Sequence, residues 1–214
     1  MPIELKICGI NSKSIIETIV RNGGCQYLGF IFYPPSPRHL SIQQSKELTS
    51  IVPYYIKKVA VLVKPNNQIL EKIKNLPFDY YQLYNVTPKR TKIIKKKYKV
   101  KIITAITVEN INDVNNYKNY ENISEIILFD GKGYEKSIGF NHNLLINTPK
   151  NLTKMVAGNI RYNDKLDNLN KIADIVDISG GLETYGKKDA SKINIFLENI
   201  RKLNDKNKKK NSSN

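Results

Sequence analysis

A cysteine stands where the first apolar run of the chain gives way to a loop. In the segment ELKICGINSKS, residues 4–14, Cys8 follows Ile7 and precedes Gly9. A lone cysteine in such a place is most often a small buried hydrophobic residue, but a thiol at a strand end can also be a reactive group at the mouth of a barrel. The segment by itself leaves both interpretations open.

Further residues with chemical potential end the later apolar runs. They supply a guanidinium, an ammonium group, a phenol, two carboxylates and two glycine-containing turns, namely Arg38, Lys64, Tyr84, Asp130, Gly158, Asp177 and Ser179–Gly181. Asp130 before Gly131 could be a simple turn residue, but its place after an apolar strand favours a site. If the apolar runs are parallel strands of a barrel, these groups converge on one face together with the thiol.

Apolar runs of strand length alternate with amphipathic stretches along the chain. The pattern predicts strands over residues 4–8, 27–32, 57–63, 79–83, 101–106, 124–129, 153–157 and 174–178. It predicts helices over residues 12–22, 41–51, 66–75, 87–98, 109–118, 140–146, 162–172 and 189–203. Their caps are Ser41, Asn66, Thr87, Asn163 or Asp164, and Asp189.

This alternation predicts a single-domain α/β protein with the (β/α)8 TIM-barrel fold. An open doubly wound sheet stays an alternative, although no GxGxxG motif follows the first strand. The catalytic barrel domain is predicted over residues 1–203. The polar segment NDKNKKKNSSN, residues 204–214, is predicted to be a disordered, lysine-rich tail.

The charge balance is strongly basic, with 35 Lys and Arg against 19 Asp and Glu, a net charge of +16. Most of the cations are lysines, and no helix-turn-helix, zinc-finger or aromatic RNA-binding signature accompanies them. A solvated basic surface that steers an anionic small molecule is therefore favoured over nucleic-acid binding.

Cysteine and histidine usage is sparse. Cys8 and Cys25 are too few for a disulfide framework, the N-terminus lacks a signal-peptide pattern, and no apolar run has membrane-spanning length. We therefore predict a cytoplasmic protein with no membrane partner. Cys25 is predicted to pack between a helix and a strand, and His39 and His142 are predicted to be surface or loop residues. With no CxxC pair and only these two histidines, a multi-ligand zinc site is not expected.

Several segments, taken in order, resemble the phosphoribosylanthranilate isomerase family of tryptophan biosynthesis. They are KICGI at 6–10, LGFIFYPPSPRHLS at 28–41, VAVLV at 59–63, YYQLY at 80–84, ILFD at 127–130, VAGNI at 156–160, VDISGGLE at 176–183 and GKKD at 186–189. The resemblance extends to about residue 203 and implies a TIM barrel. It also implies an Amadori rearrangement of N-(5-phosphoribosyl)anthranilate to 1-(2-carboxyphenylamino)-1-deoxyribulose 5-phosphate, with no metal or organic cofactor.

The resemblance further implies roles for individual residues. Cys8 is the general base and Asp130 the general acid, while Arg38 holds the anthranilate carboxylate, Asp177 lies near the ribose hydroxyls and Tyr84 donates to the substrate. The phosphate lies on two turns that precede a short helical turn near 182–185, formed by Gly158, Asn159, Ser179, Gly180 and Gly181. We expect the basic mouth to lower the pKa of the thiol and desolvation to raise the pKa of the acid.

The chain departs from the family pattern at three places. Tyr84 stands where a histidine is usual, and Asn159 where a second glycine is common. The segment GKGYEKSIGF, residues 131–140, is expected to close differently over the substrate, with Lys136 and Ser137 contributing. The rival interpretations are another phosphate-binding barrel isomerase of histidine or tryptophan synthesis, and a basic nucleic-acid-binding protein. Both a monomer and a homodimer are compatible with the motifs.

Overall fold

Eight parallel strands close into a barrel in which each strand pairs with the next in chain order and the last lies beside the first. The computed structural model describes residues 2–132 and 139–211. The strands are β1 (Glu4–Cys8), β2 (Tyr27–Ile31), β3 (Lys57–Val63), β4 (Tyr80–Tyr84), β5 (Lys101–Thr107), β6 (Ile126–Asp130), β7 (Lys154–Val156) and β8 (Ile175–Ile178). The predicted TIM barrel is confirmed, with every strand near its predicted position.

Both faces of the barrel wall are buried because successive side chains of a strand point to opposite sides. Residues such as Leu28 and Phe30 pack outward beneath the helices, whereas Val61 and Ile103 belong to the cluster inside the barrel. The inward positions also include buried polar side chains, namely Lys6, Gln82 and Asp177. A barrel interior that is otherwise apolar therefore contains a small polar layer.

In the part of the chain that the structure describes, six α-helices connect or follow the strands. They are α1 (Lys13–Asn22), α2 (Ile42–Ser50), α3 (Asn67–Ile73), α4 (Pro88–Tyr98), α5 (Ile111–Asn115) and α6 (Ala190–Asn211), with a 3-10 turn, Asn116–Asn119, after α5. The predicted caps Ser41, Asn66 and Thr87 each accept a hydrogen bond from the amide three residues further on. Asp189 accepts from the amides of Ser191 and Lys192, so its predicted capping role is also confirmed.

The helices predicted for residues 140–146 and 162–172 are wrong. The structure has only 3-10 turns there, His142–Leu145 and Leu169–Lys171. Both segments are rich in Asn and Asp, whose side chains compete with the helix for backbone donors. Asp164, predicted as a helix cap, instead accepts from the amide of Arg161 and stabilises a turn.

The last helix, α6, extends to Asn211, so the disordered tail predicted from residue 204 is wrong for residues 204–211. That segment holds no glycine or proline to end the helix. The side chain of Asn204 accepts from the amide of Ile3 at 2.8 Å and donates to its carbonyl oxygen at 3.0 Å. These bonds tie the helix to the chain just before β1.

The carboxyl ends of the strands lie on one face of the barrel, where loops of different lengths follow them. After β8 the chain makes a 3-10 turn, Gly180–Leu182, and then a small hairpin of β9 (Glu183–Thr184) and β10 (Lys187–Lys188). The contributions predicted for Lys136 and Ser137 after β6 lie outside the described residues. No helix within residues 2–132 and 139–211 is long and apolar enough to cross a membrane.

Candidate active site

A cavity of about 380 Å³ opens at the carboxyl end of the barrel. It is lined by all ten residues to which the resemblance gives a catalytic or binding role, namely Cys8, Arg38, Tyr84, Asp130, Gly158, Asn159, Asp177, Ser179, Gly180 and Gly181. These residues come from strands and loops far apart in sequence, and barrel closure brings them together. Lys64, also noted at a strand end, lines a separate cavity beside the β2 and β3 loops.

Cys8 ends β1 with its thiol on the inner side of the barrel and only 7% of the residue exposed. Its register neighbour on β2 is Gly29, where a Cβ atom would lie only 2.8 Å from the sulfur. Burial raises the pKa of the Cys8 thiol above its ordinary value, although the ammonium groups of Lys6 and Lys188 oppose this. The expected lowering of the thiol pKa is therefore wrong, because desolvation outweighs the nearby cations.

Asp177 accepts a hydrogen bond at 2.7 Å from the ammonium of Lys6, which is fully buried. The bond uses Oδ2 of Asp177. Its other oxygen, Oδ1, is buried and has no hydrogen-bond partner among the described residues. A buried acceptor without a partner is unfavourable, so the Lys6–Asp177 pair leaves one oxygen of the carboxylate unsatisfied.

Asp130 ends β6 and is held by the tyrosine that replaces the usual histidine. The hydroxyl of Tyr84 donates to Oδ2 of Asp130 at 2.8 Å, and Nε2 of Gln82 donates to the Tyr84 oxygen at 3.1 Å. Burial raises the pKa of Asp130 to about 6, while the hydrogen bond from Tyr84 opposes the rise. This raised pKa is confirmed, and its cause is the expected desolvation.

Arg38 lies at the rim, where its guanidinium forms a two-point ion pair with Glu183. Nε contacts Oε1 at 2.6 Å and Nη2 contacts Oε2 at 2.7 Å, and Lys188 also donates to Oε1 at 2.6 Å. Gly9 lies beneath the arginine, since a Cβ atom there would be 2.5 Å from Arg38 Cδ. The planar guanidinium is thus fixed at the edge of the cavity in an orientation suited to carboxylates.

The two glycine turns after β7 and β8 pack directly against each other. A Cβ atom on Gly181 would lie 2.0 Å from the carbonyl oxygen of Ile160, so only glycine fits there. Gly158 has a φ of +93° and Asn159 a φ of +53°, as the predicted left-handed conformation requires. The short helical turn predicted near 182–185 lies at Gly180–Leu182, because residues 183 and 184 form β9.

Four charged residues of the site were not assigned a role from the sequence, namely Lys6, Arg161, Glu183 and Lys188. Arg161 lines the cavity beside the β7 turn, and the other three are within the pairs described above. Lys6 carried a detectable signal, because it lies two residues before Cys8 and strand alternation places both on one face. Glu183 and Lys188 had no such signal, since only the β9–β10 hairpin folds them back over the mouth.

The remaining predicted residues lie outside the cavity. Cys25 is buried and its thiol contacts the carbonyl oxygen of Tyr27 at 3.2 Å, which confirms the packing role. His39 is exposed, as predicted, whereas His142 is half-buried against Phe140 and its ring contacts the carbonyl oxygen of Ala157. Within residues 2–132 and 139–211, no three His, Cys, Asp or Glu side chains are grouped to hold a metal ion.

Comparison with known proteins decides the family. The family model described as N-(5'phosphoribosyl)anthranilate (PRA) isomerase matches residues 5–199. The chain belongs to this family. N-(5'-phosphoribosyl)anthranilate isomerase of Bradyrhizobium diazoefficiens is 30% identical over 216 residues, which cover 96% of this chain and 96% of that protein. Members of the family are isomerases of tryptophan biosynthesis, as the sequence motifs implied.

Solved structures support the same assignment. The crystal structure of phosphoribosyl anthranilate isomerase from Thermotoga maritima has a TM-score of 0.85 and 25% identity, covering 94% of this chain and 100% of that one. A second structure of such an isomerase has a TM-score of 0.82 and 24% identity over the same shares of the two chains. That protein is in complex with reduced 1-(o-carboxyphenylamino)-1-deoxyribulose 5-phosphate.

Proposed function

We propose that this cavity carries out the Amadori rearrangement of N-(5'-phosphoribosyl)anthranilate with Cys8 as the general base and Asp130 as the general acid. The observation that carries the proposal is the placement of a thiol and a carboxyl with a raised pKa at the ends of β1 and β6, in one cavity. Cations and glycine turns surround them, as an anionic phosphorylated substrate requires.

The reaction begins at the furanose ring oxygen of the substrate. Asp130 donates a proton to this oxygen as the bond from C1' to oxygen breaks, and the nitrogen lone pair forms a C=N bond. The thiolate of Cys8 then removes the proton from C2'. The electrons of that C–H bond form the C1'=C2' double bond of an enolamine, while the π electrons of the C=N bond return to nitrogen. The enolamine gains a proton at C1' and loses the proton of the C2' hydroxyl, which gives the 1-amino-1-deoxyribulose product.

The two pKa values shape the dependence of this reaction on pH. With the pKa of Asp130 at about 6, about one molecule in ten carries that proton at pH 7. The reactive form, a thiolate with a protonated acid, has as many protons as the dominant form, a thiol with an ionised carboxylate. Its population is therefore constant between the two pKa values, which predicts a plateau of activity above pH 6.

The rim and the turns are assigned to the ends of the substrate. We assign Arg38 to the anthranilate carboxylate and Asp177, whose Oδ1 has no partner among the described residues, to a ribose hydroxyl. The phosphate is assigned to Gly158, Asn159, Ser179, Gly180 and Gly181, which line the cavity on the turns after β7 and β8. The reduced product bound to the structural relative has the same carboxylate, hydroxyl and phosphate groups.

The function is tested by generating phosphoribosylanthranilate and following the loss of its fluorescence on addition of the protein. The expected result is turnover that follows protein concentration and proceeds in a metal-chelating buffer. No turnover by folded protein would contradict the proposal. The small-molecule partner follows from the family, whereas cytoplasmic location, the lack of nucleic-acid partners and the choice between monomer and homodimer stay predictions.

Replacing Tyr84 by phenylalanine is expected to shift the low-pH limb of the kcat/KM profile upward. The Tyr84 hydroxyl donates to Asp130 and favours its ionised form, so its loss raises the pKa of that carboxyl above about 6. The measurement compares full pH profiles of the two proteins. Tyr80→Phe, on the same strand and the same face, is the matched control. An unchanged low-pH limb in Tyr84→Phe would show that the Tyr84 hydroxyl does not affect the pKa of the acid.

Replacing Arg38 by lysine is expected to raise KM by about tenfold or more while changing kcat less. Lysine keeps the charge but loses the planar guanidinium, which pairs with Glu183 through Nε and Nη2 and still has N–H donors for a second carboxylate. Steady-state kinetics measure the effect, with Arg21→Lys on the exposed side of α1 as the control. An unchanged KM would remove Arg38 from substrate binding.

A further inference from the structure

A lysine and an aspartate form an ion pair inside the barrel, next to the thiol of Cys8. Lys6 and Asp177 are register neighbours on β1 and β8, and Lys6 Nζ lies 2.7 Å from Asp177 Oδ2. Lys6 is completely buried and Asp177 is 5% exposed. Because side chains alternate along a strand, Lys6 and Cys8 share the inner face of β1.

Stability alone is a poor explanation for this pair. Removing two charges from water is unfavourable, and apolar residues of similar volume often stabilise a fold as well or better. The neighbouring inward positions of the barrel, such as Ile103 and Ile175, are apolar and fill their space without any charge. The buried charge of Lys6 is therefore better explained by a role in the reaction than by stability.

We propose that Lys6 is a positioning residue for the reaction: its ammonium, held by Asp177, stabilises the thiolate of Cys8 and the carboxylate of Asp130. One buried cation thus sets the ionisation of both the base and the acid. The inference rests on the proposed roles of Cys8 and Asp130, and it adds the group that makes their charged forms accessible inside the barrel.

The other charged groups that face Cys8 do not replace Lys6. They come from the β2 loop, β4, β6, β8 and β10, namely Arg38, Tyr84, Asp130, Asp177 and Lys188. Arg38 and Lys188 share the carboxylate of Glu183 at the rim. Of the two ammonium groups, Lys6 lowers the thiol pKa more than Lys188 does. Asp177 acts in the opposite direction, since its negative charge raises the same pKa.

Lys6 and Asp177 shift the pKa of Asp130 in the same directions as they shift the pKa of Cys8. Lys6 lowers the pKa of this carboxyl and Asp177 raises it. Loss of the ammonium therefore disfavours the ionised forms of both catalytic groups at once. Loss of an uncharged residue that only fills space would not raise the pKa values of Cys8 and Asp130 together.

The first test measures ionisation of Cys8 without turnover. The rate of its alkylation by iodoacetamide is followed against pH by mass spectrometry of the peptide that contains Cys8. Lys6→Met is expected to slow alkylation at pH 7.5 by about tenfold or more, because the thiolate loses its cation. Lys6→Gln, which keeps a polar side chain without the positive charge, is expected to slow it in the same way. Lys154→Met is the matched control, a buried lysine of β7 that donates to the carbonyl oxygen of Pro149 instead.

The second test uses the pH profile of kcat/KM. Lys6→Met is expected to shift both limbs upward by about one pH unit, whereas a purely structural loss would lower the plateau and leave the limbs in place. If Lys6→Met does not fold, Lys6→Gln tests the same loss of charge with a polar side chain. Unchanged alkylation in either variant, when folded, would overturn the inference.

The outcome also separates this inference from the proposed function. If Cys8→Ala retains activity, the proposed base is wrong whatever the alkylation data show. If Cys8→Ala is inactive and the Lys6 variants alkylate like the parent protein, only the role of Lys6 is wrong.

Discussion

Replacing Cys8 by alanine is expected to lower kcat for phosphoribosylanthranilate by about 10²- to 10⁴-fold. The thiolate is the group assigned to remove the C2' proton, and alanine offers no base in its place. The neighbouring carboxylate of Asp177 is bonded to Lys6, and its remaining oxygen is assigned to a ribose hydroxyl. The measurement is steady-state turnover by substrate fluorescence, with thermal unfolding recorded for the same samples.

Cys25→Ala is the matched control for this variant. It removes the other cysteine, which is also buried but contacts the carbonyl oxygens of Leu5 and Tyr27 rather than the cavity. Burial raises the pKa of Cys25 to about 12, so this thiol stays protonated near neutrality. Turnover by Cys25→Ala should stay near that of the parent protein. Near-full activity of Cys8→Ala would show that the assigned base is wrong.

Replacing Asp130 by asparagine is expected to reduce turnover by a similar factor, about 10²- to 10⁴-fold. The amide matches the carboxyl in shape but cannot release a proton to the ring oxygen. It also cannot titrate, so the limb of the pH profile near pH 6 should disappear together with most of the activity. Turnover between pH 5 and 9 measures both effects.

Asp79→Asn controls for the loss of a carboxylate at a strand end. Asp79 immediately precedes β4 at the opposite end of the barrel, where its Oδ2 accepts from the amide of Lys58. Changes at that end of a TIM barrel affect stability rather than chemistry. A lower melting temperature with preserved turnover is therefore expected for Asp79→Asn. Equal turnover in Asp130→Asn and the parent protein would contradict the assignment of the acid.

The strands were predictable from sequence because the barrel buries both faces of its wall, which makes each strand a short apolar run. The helices around residues 140–146 and 162–172 were not, because local Asn and Asp side chains stabilise turns there. Propensity within a segment also gave no boundary for α6. Its extension depends on Asn204, whose side chain bonds to Ile3 at the other end of the sequence.

The motif residues of the site and the raised pKa of Asp130 could be predicted from the sequence, but the raised pKa of the thiol could not. Cys8, Arg38, Asp130 and the glycine turns follow from motifs, and the fold brings them to one cavity. The pKa of the Cys8 thiol depends instead on how deeply the barrel buries it and on the position of Lys6, which pairs with Asp177 on β8. Those quantities arise from barrel closure, because residues 6 and 177 become neighbours only when the first and last strands pair.

Gly29 shows how the fold and the chemistry make opposing demands on one position. Glycine inside a strand lowers stability by about 0.5–1 kcal/mol relative to alanine. A methyl group at position 29, however, would lie 2.8 Å from the Cys8 sulfur and displace it. Alanine at position 29 would therefore stabilise β2 but would displace the thiol that turnover requires. The position trades stability for activity, although its residue has no side chain and takes no part in proton transfer.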